Sequence, residues 1–232
     1  MAYDIFVDGE SIANLGVFIT KRPNIPAPIR KYQEYDIPGR NGKMYEMLDQ
    51  YEDIEITVTF NYMVNKDLWH QKFREIKKKL NNIKELTFSD DMYFYHVVKK
   101  VEIGTNERTS LRIGRFDVVF TLDPYYYLLS GKEKIRITNG KIFNQYDIAP
   151  AVYYITGEGM CTLTVNGHEC KCNVGQNLTI DTFLKLAYRD DGTLMNAKIN
   201  GNYEDMLLIE GENDISITSG FNLEIKPNWR CL

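Results

Sequence analysis

Between residues 54 and 62 the side chains alternate without a break: Ile54, Ile56, Val58, Phe60 and Tyr62 against Glu55, Thr57, Thr59 and Asn61. A period of two places all the apolar members on one face of an extended strand, which is how a half-buried antiparallel strand reads. The pattern returns in Phe116, Val118, Phe120 and Leu122 against Asp117 and Thr121. Asp123-Pro124 is expected to end that second strand, because proline has no amide with which to extend a ladder. Helical spacing is convincing in one segment only, where Trp69, Phe73, Ile76 and Leu80 fall on a single stripe. Asn65 is placed to cap it, Asp67 suits the positive end of its dipole, and Asn81-Asn82 follows a lysine-rich last turn. A helix over about 66–80, covering one face of a sheet, is the expectation. The chain is therefore read as mainly β.

Near residue 134 the texture changes to short strands with turn signals at Asn139-Gly140, Asn166-Gly167, Asp191-Gly192 and Asn200-Gly201, as in an antiparallel β-sandwich. A chain of 232 residues is long enough for two domains of ordinary size. The division expected is an amino-terminal β-sandwich-like domain over residues 1–133, with its covering helix, and a carboxy-terminal β-sandwich over 134–232. Whether the last strand returns to the first domain is left open. If Asn166-Gly167 is a two-residue type I′ loop, Val165 faces His168, Leu163 faces Cys170 and Cys161 faces Cys172, all on one side of the hairpin. The same rule applied to Asp191-Gly192 opposes Asp190 to Thr193 and Arg189 to Leu194.

That register bears on the chemistry the chain could carry. Cys161, His168, Cys170 and Cys172 look like a metal cluster on paper. However, His168 and Cys172 lie four residues apart on one strand, about 13 Å at ~3.3 Å per residue. Zinc holds its ligands ~2.0–2.3 Å from the metal, so one hairpin cannot bring all four to one ion. Cys161, Cys170 and Cys172 are instead expected to be small apolar residues on a core face, with a Cys161–Cys172 disulfide geometrically conceivable. No metal or cofactor is expected. The remaining histidines, His70 and His96, lie in no nucleophile or metal motif, and there is no Gly-x-Ser-x-Gly, His-Glu-x-x-His or phosphate-binding loop. Asp90-Asp91 and Asp190-Asp191 sit at polar breaks and turns, which disfavours acid–base work. No catalytic residue is assigned.

A net charge of −4 argues against a protein that grips nucleic acid. The basic run Lys77-Lys78-Lys79 reads as a solvated helix face. No apolar run reaches the ~18 residues of a membrane span, and the first residues lack the pattern of a signal peptide. Tyrosine runs at Tyr93-Phe94-Tyr95, Tyr125-Tyr126-Tyr127 and Tyr153-Tyr154 must turn some rings away from their own core, because neighbours on a strand face opposite sides. Such rings suit subunit interfaces or sugar platforms.

One more stretch, Ile37-Pro38-Gly39-Arg40-Asn41-Gly42, demands two backbone reversals with glycines at positive φ. It belongs to a series that runs along the chain. Asp8-Gly9, Leu15-Gly16, the 37–42 loop, a helix after a strong strand and Asp123-Pro124-Tyr125 come first. Ala149-Pro150, Gly157-x-Gly159, Leu178-Thr179-Ile180-Asp181, Leu208 to Ile215 and Ile225-Lys226-Pro227-Asn228-Trp229-Arg230 follow. In that order they resemble the distal tail protein (Dit) family of siphophages that infect Gram-positive bacteria, in its short form without an inserted carbohydrate-binding module.

The resemblance implies a structural virion protein at the tail tip, made in the bacterial host cytoplasm, and not an enzyme. Its amino-terminal domains would close into a homo-hexameric ring between the major tail tube protein and the tail-associated lysin or fibre protein. Galectin-like carboxy-terminal domains would point outward, with the receptor-binding protein as a further partner. DNA would pass through the lumen without specific binding, and no membrane is involved. Arg40, Asn41, Tyr125 and Tyr126 are the expected subunit contacts. The alternative is a lectin-like β-sandwich that binds host cell-wall glycans.

Overall fold

A computed structural model describes residues 3–137 and 140–232. Asn139, and with it the first expected turn of the second half, lies outside the described residues. The chain divides into two compact units, residues 1–126 (joined by Leu232) and 127–231.

The first unit is built on one sheet whose strands run in the order Glu10–Ser11, Ile5–Val7, Glu85–Phe88, Phe94–Ile103, Ile113–Leu128, Ile54–Met63 and Val17–Ile19. The alternating strand is Ile54–Met63, and its apolar side chains are buried as the sequence requires. It pairs with the second alternating strand from Ile54↔Leu122 to Met63↔Ile113, so the two apolar faces coincide. Phe60 and Phe116, directly opposed, stack with their rings 5.5 Å apart. The helix, Trp69–Leu80, lays Trp69, Phe73, Ile76 and Leu80 against this core.

Two expectations are corrected here. A 3-10 turn, Lys66–Leu68, precedes the helix, and Asn65 accepts the Leu68 amide through its main-chain oxygen (2.9 Å) with no side-chain cap. The Ile113–Leu128 strand also continues past Pro124. Its ladder to Ile54–Met63 does stop at Leu122, but proline's fixed φ is compatible with extended backbone, so the strand outlives that ladder.

The second unit centres on a long hairpin, Val152–Val165 with His168–Asp181, in register from Val152↔Asp181 to Val165↔His168. Asn166 (φ 50°) and Gly167 (φ 85°) make the type I′ turn, and Leu163↔Cys170 and Cys161↔Cys172 follow as expected. Along Val152–Val165 the outer neighbour changes. Val152–Thr156 pairs with Asn222–Lys226, whereas Leu163–Val165 pairs with Gly211–Ile217. The change happens at Gly157 (φ 153°) and Gly159 (φ 104°), conformations open to glycine. A Cβ on Gly157 would lie 2.3 Å from the Phe221 ring. The sheet continues as Ile135–Arg136, Asn222–Lys226, Val152–Val165, His168–Asp181 and Leu186–Tyr188. Near the chain end, the Leu128 amide donates to the Trp229 carbonyl oxygen (2.9 Å).

The Asp191-Gly192 hairpin is one residue out of the expected register. The Arg189 amide donates to the Thr193 carbonyl (3.0 Å), and Tyr188 faces Leu194. Gly192 alone is left-handed there (φ 83°), so the loop has three residues and closes on a glycine bulge. Asp191 instead spends its carboxylate on the Thr193 amide (2.9 Å), which holds its pKa below the usual carboxylate value. No helix among the described residues is long and apolar enough to cross a membrane.

Candidate functional site

Arg30–Asp36 and Lys43–Tyr51 form a two-stranded sheet of their own, within the first unit but outside its main sheet. Tyr32 pairs with Met47, Glu34 with Tyr45 and Asp36 with Lys43 on one face; Gln33 with Glu46 and Tyr35 with Met44 occupy the other. Neither face is covered by the described residues. Tyr45 is 58% exposed and Met47 63%, while Tyr32, Tyr35 and Met44 also lie open. Local contacts hold the arm. Tyr32 and Tyr45 meet edge to face (6.4 Å), Tyr35 Oη donates to Glu46 Oε2 (2.7 Å), and Lys43 pairs with Glu34. At the base, Arg30 Nε donates to the Leu48 carbonyl (2.9 Å) and Tyr51 packs edge-on to Tyr125 (6.1 Å).

The loop at residues 37–42 is the tip of this arm. Arg40 N donates to the Ile37 carbonyl (3.1 Å) across Pro38-Gly39, and Gly39 (φ 82°) and Gly42 (φ 81°) supply the two reversals. Arg40 and Asn41 are exposed there. Tyr125 and Tyr126 are placed differently: both are half-buried, Tyr125 against Tyr51 and Tyr126 against His96 (4.4 Å) and Phe94 (6.5 Å). The exposed apolar side chains of the arm carried no signal in the sequence. Lys31-Tyr32-Gln33-Glu34-Tyr35 has no period of two that marks one face as core, because neither face is core within this chain.

Elsewhere, Cys161, Cys170 and Cys172 are buried free thiols on the core face of the second unit. The Cys161 and Cys172 sulfurs are 3.1 Å apart. Burial pushes the Cys170 thiol up to about 11, and the shared proton with Cys161 together with burial keeps Cys172 protonated. His168 is exposed at the turn. Among the described residues no three or more His, Cys, Asp or Glu side chains are grouped to hold a metal ion. Asp90 lies 3.9 Å from Arg22, and burial with the Asp90 charge raises the Asp91 carboxyl.

No protein-family model matches the sequence, and no curated protein does either. The fold does have a counterpart. The crystal structure of the SPP1 Dit protein (gp 19.1), described as a paradigm of the hub adsorption apparatus in phages infecting Gram-positive bacteria, superposes with a TM-score of 0.68 at 11% identity, covering 100% of both chains. From end to end, this mainly β, one-helix chain has the fold of that phage hub protein.

Proposed function

We propose that this protein is the distal tail hub of a long, non-contractile phage tail, a structural and not a catalytic component. In this reading six copies close into a ring at the tail tip. The ring joins the major tail tube protein to the tail-associated lysin or fibre protein, with the receptor-binding protein attached beyond, and DNA passes through its lumen.

The observation that supports it is the uncovered hairpin, Arg30–Asp36 with Lys43–Tyr51. A lone two-stranded hairpin is at best marginal in water, and exposed tyrosine and methionine side chains on both faces are the composition of an interface core. A neighbouring copy is the occupant that closes a ring, since a head-to-tail contact repeated by rotation uses one surface on each side. Arg40 and Asn41, at the tip, would then reach the neighbour. Tyr125 would steady the arm from its base, with Tyr126 behind it.

Light scattering over a concentration series, with negative-stain images of the same fractions, tests the reading. The expected particle has six times the 27.0 kDa chain mass and a central hole. A Tyr45→Ser/Met47→Asp protein should stay monomeric while its melting temperature hardly moves, because these side chains are exposed. Arg40→Ala should weaken assembly. A wild-type chain that remains monomeric at high concentration and alongside its tube and fibre partners would overturn the proposal.

A further inference from the structure

The outward face of the second unit's sheet carries an ordered set of polar side chains. Directly paired residues project to the same side, and the pairings Arg136↔Glu224, Glu224↔Tyr154, Tyr154↔Thr179 and Thr179↔Tyr188 draw one row across it. The next row is Asn222, Thr156 and Asn177. A groove of about 310 Å³ lies over these rows, with Lys134 and Asp190 at its sides. That volume is at the lower end of the range of small-ligand clefts, ~300–1,000 Å³.

Its polar groups are held in place before any ligand arrives. Asn222 Oδ1 accepts from Arg136 Nη2 (3.2 Å), and Asn177 Oδ1 accepts from the Asp190 amide (3.0 Å). Both amide oxygens are thus engaged, which fixes the planes of the two side chains and leaves each NH₂ group able to donate among the described residues. Tyr154 contributes a half-buried ring. The Lys134 ammonium stands over it, 3.6 Å from the centroid, on an exposed and rotatable stem that can swing aside.

The charges decide the class of ligand. Lys134 and Arg136 are balanced by Asp190 and Glu224, so neither a phosphate nor an amine finds a field of opposite sign. An extended peptide would want a free strand edge, whereas the groove lies over the face of paired strands. What remains is an uncharged ligand with hydroxyls to exchange hydrogen bonds with amide, guanidinium and carboxylate groups, and a C–H face to lie on a tyrosine. We propose that this groove binds a neutral saccharide. The assignment does not depend on ring formation, since every residue comes from one chain and one unit.

The test is saturation-transfer NMR and calorimetry on the full chain. The probes are glucose, galactose, rhamnose, N-acetylglucosamine and chitotetraose, with glycerol phosphate as an anionic comparator. At least one neutral probe should bind. Asn177→Ala and Asn222→Ala should each weaken it about tenfold, and Tyr154→Ala should weaken it further, while Tyr154→Phe keeps most of the affinity. Tyr93→Ser, at an 81%-exposed position in the other unit, should change nothing. Asn222→Ala and Tyr154→Phe should melt with the parent, whereas Asn177→Ala and Tyr154→Ala, which give up the Asp190 hydrogen bond and a half-buried ring, should melt somewhat lower but keep the parent's circular dichroism at the binding temperature. No signal from any neutral probe at about 50 mM, equal binding by parent and groove variants, or binding of glycerol phosphate alone would each overturn the assignment.

Discussion

Lowering the pH from 7 to 5 should destabilise the first unit through one residue, His96. Its ring is 2% exposed, packed against Phe88 (5.5 Å) and Tyr126 (4.4 Å), and its buried Nδ1 has no hydrogen-bond partner among the described residues. Burial pushes its pKa down from 6.5 to about 4, with the Asp123 carboxylate pulling partly the other way. The folded state therefore refuses a proton that the unfolded chain accepts. The stability this imidazole contributes is fully present above 6.5 and is lost as the pH falls towards 4. With those two values the loss between pH 7 and pH 5 is about 2 kcal/mol, out of a total gap of about 3 kcal/mol below pH 4.

Urea unfolding at the two pH values, in the parent and in His96→Leu, measures it. Carboxylates titrate in both proteins, so the difference between them isolates the imidazole. The parent should lose about 2 kcal/mol more than the variant over this interval. An equal loss in both would refute the reasoning, as would a His96 ring resonance that titrates near 6.5 in the folded protein. The same ring supports Tyr126, so its protonation would disturb the strand end that also carries Tyr125, the residue packed on the base of the exposed hairpin.

Two further outcomes concern the second unit. Gly157→Ala should cost more than the ~1 kcal/mol of an ordinary glycine replacement, since the added carbon meets the Phe221 ring at a φ of 153°; differential scanning calorimetry would show a lower transition, and an unchanged one would contradict the partner change at this glycine. Tyr153→Phe should cost about 1–2 kcal/mol, because the fully buried phenol donates to the Met206 carbonyl at 2.7 Å and burial raises its pKa. An isosteric loss with no change in chemical denaturation would mean that carbonyl finds another donor.

Residue order alone settles local structure. Alternation from Ile54 to Tyr62 specifies a strand and its buried face because side chains on extended backbone have a strict period of two. The Trp69 to Leu80 spacing likewise fixes the stripe of the helix. Asn166-Gly167 sets a register that carries as far as Cys161 and Cys172, since a two-residue turn leaves no slack. The Asp191-Gly192 turn shows where local reading fails. The same pair of residue types can make a two- or a three-residue loop, and the choice depends on whether the first residue goes left-handed. Asn166 does so, whereas Asp191 bonds Thr193 and does not.

The rest was decided by tertiary structure. Arg136, Glu224, Tyr154, Thr179 and Tyr188 come from five strands spread between residues 135 and 226, and only their pairing makes them a row. His96 is ordinary in the sequence and unusual only once it is enclosed. The Arg30–Asp36 and Lys43–Tyr51 strands have no apolar period because their hydrophobic side chains have no core in this chain to point to. A hydrophobic side chain that no core of its own chain receives leaves no periodicity to read.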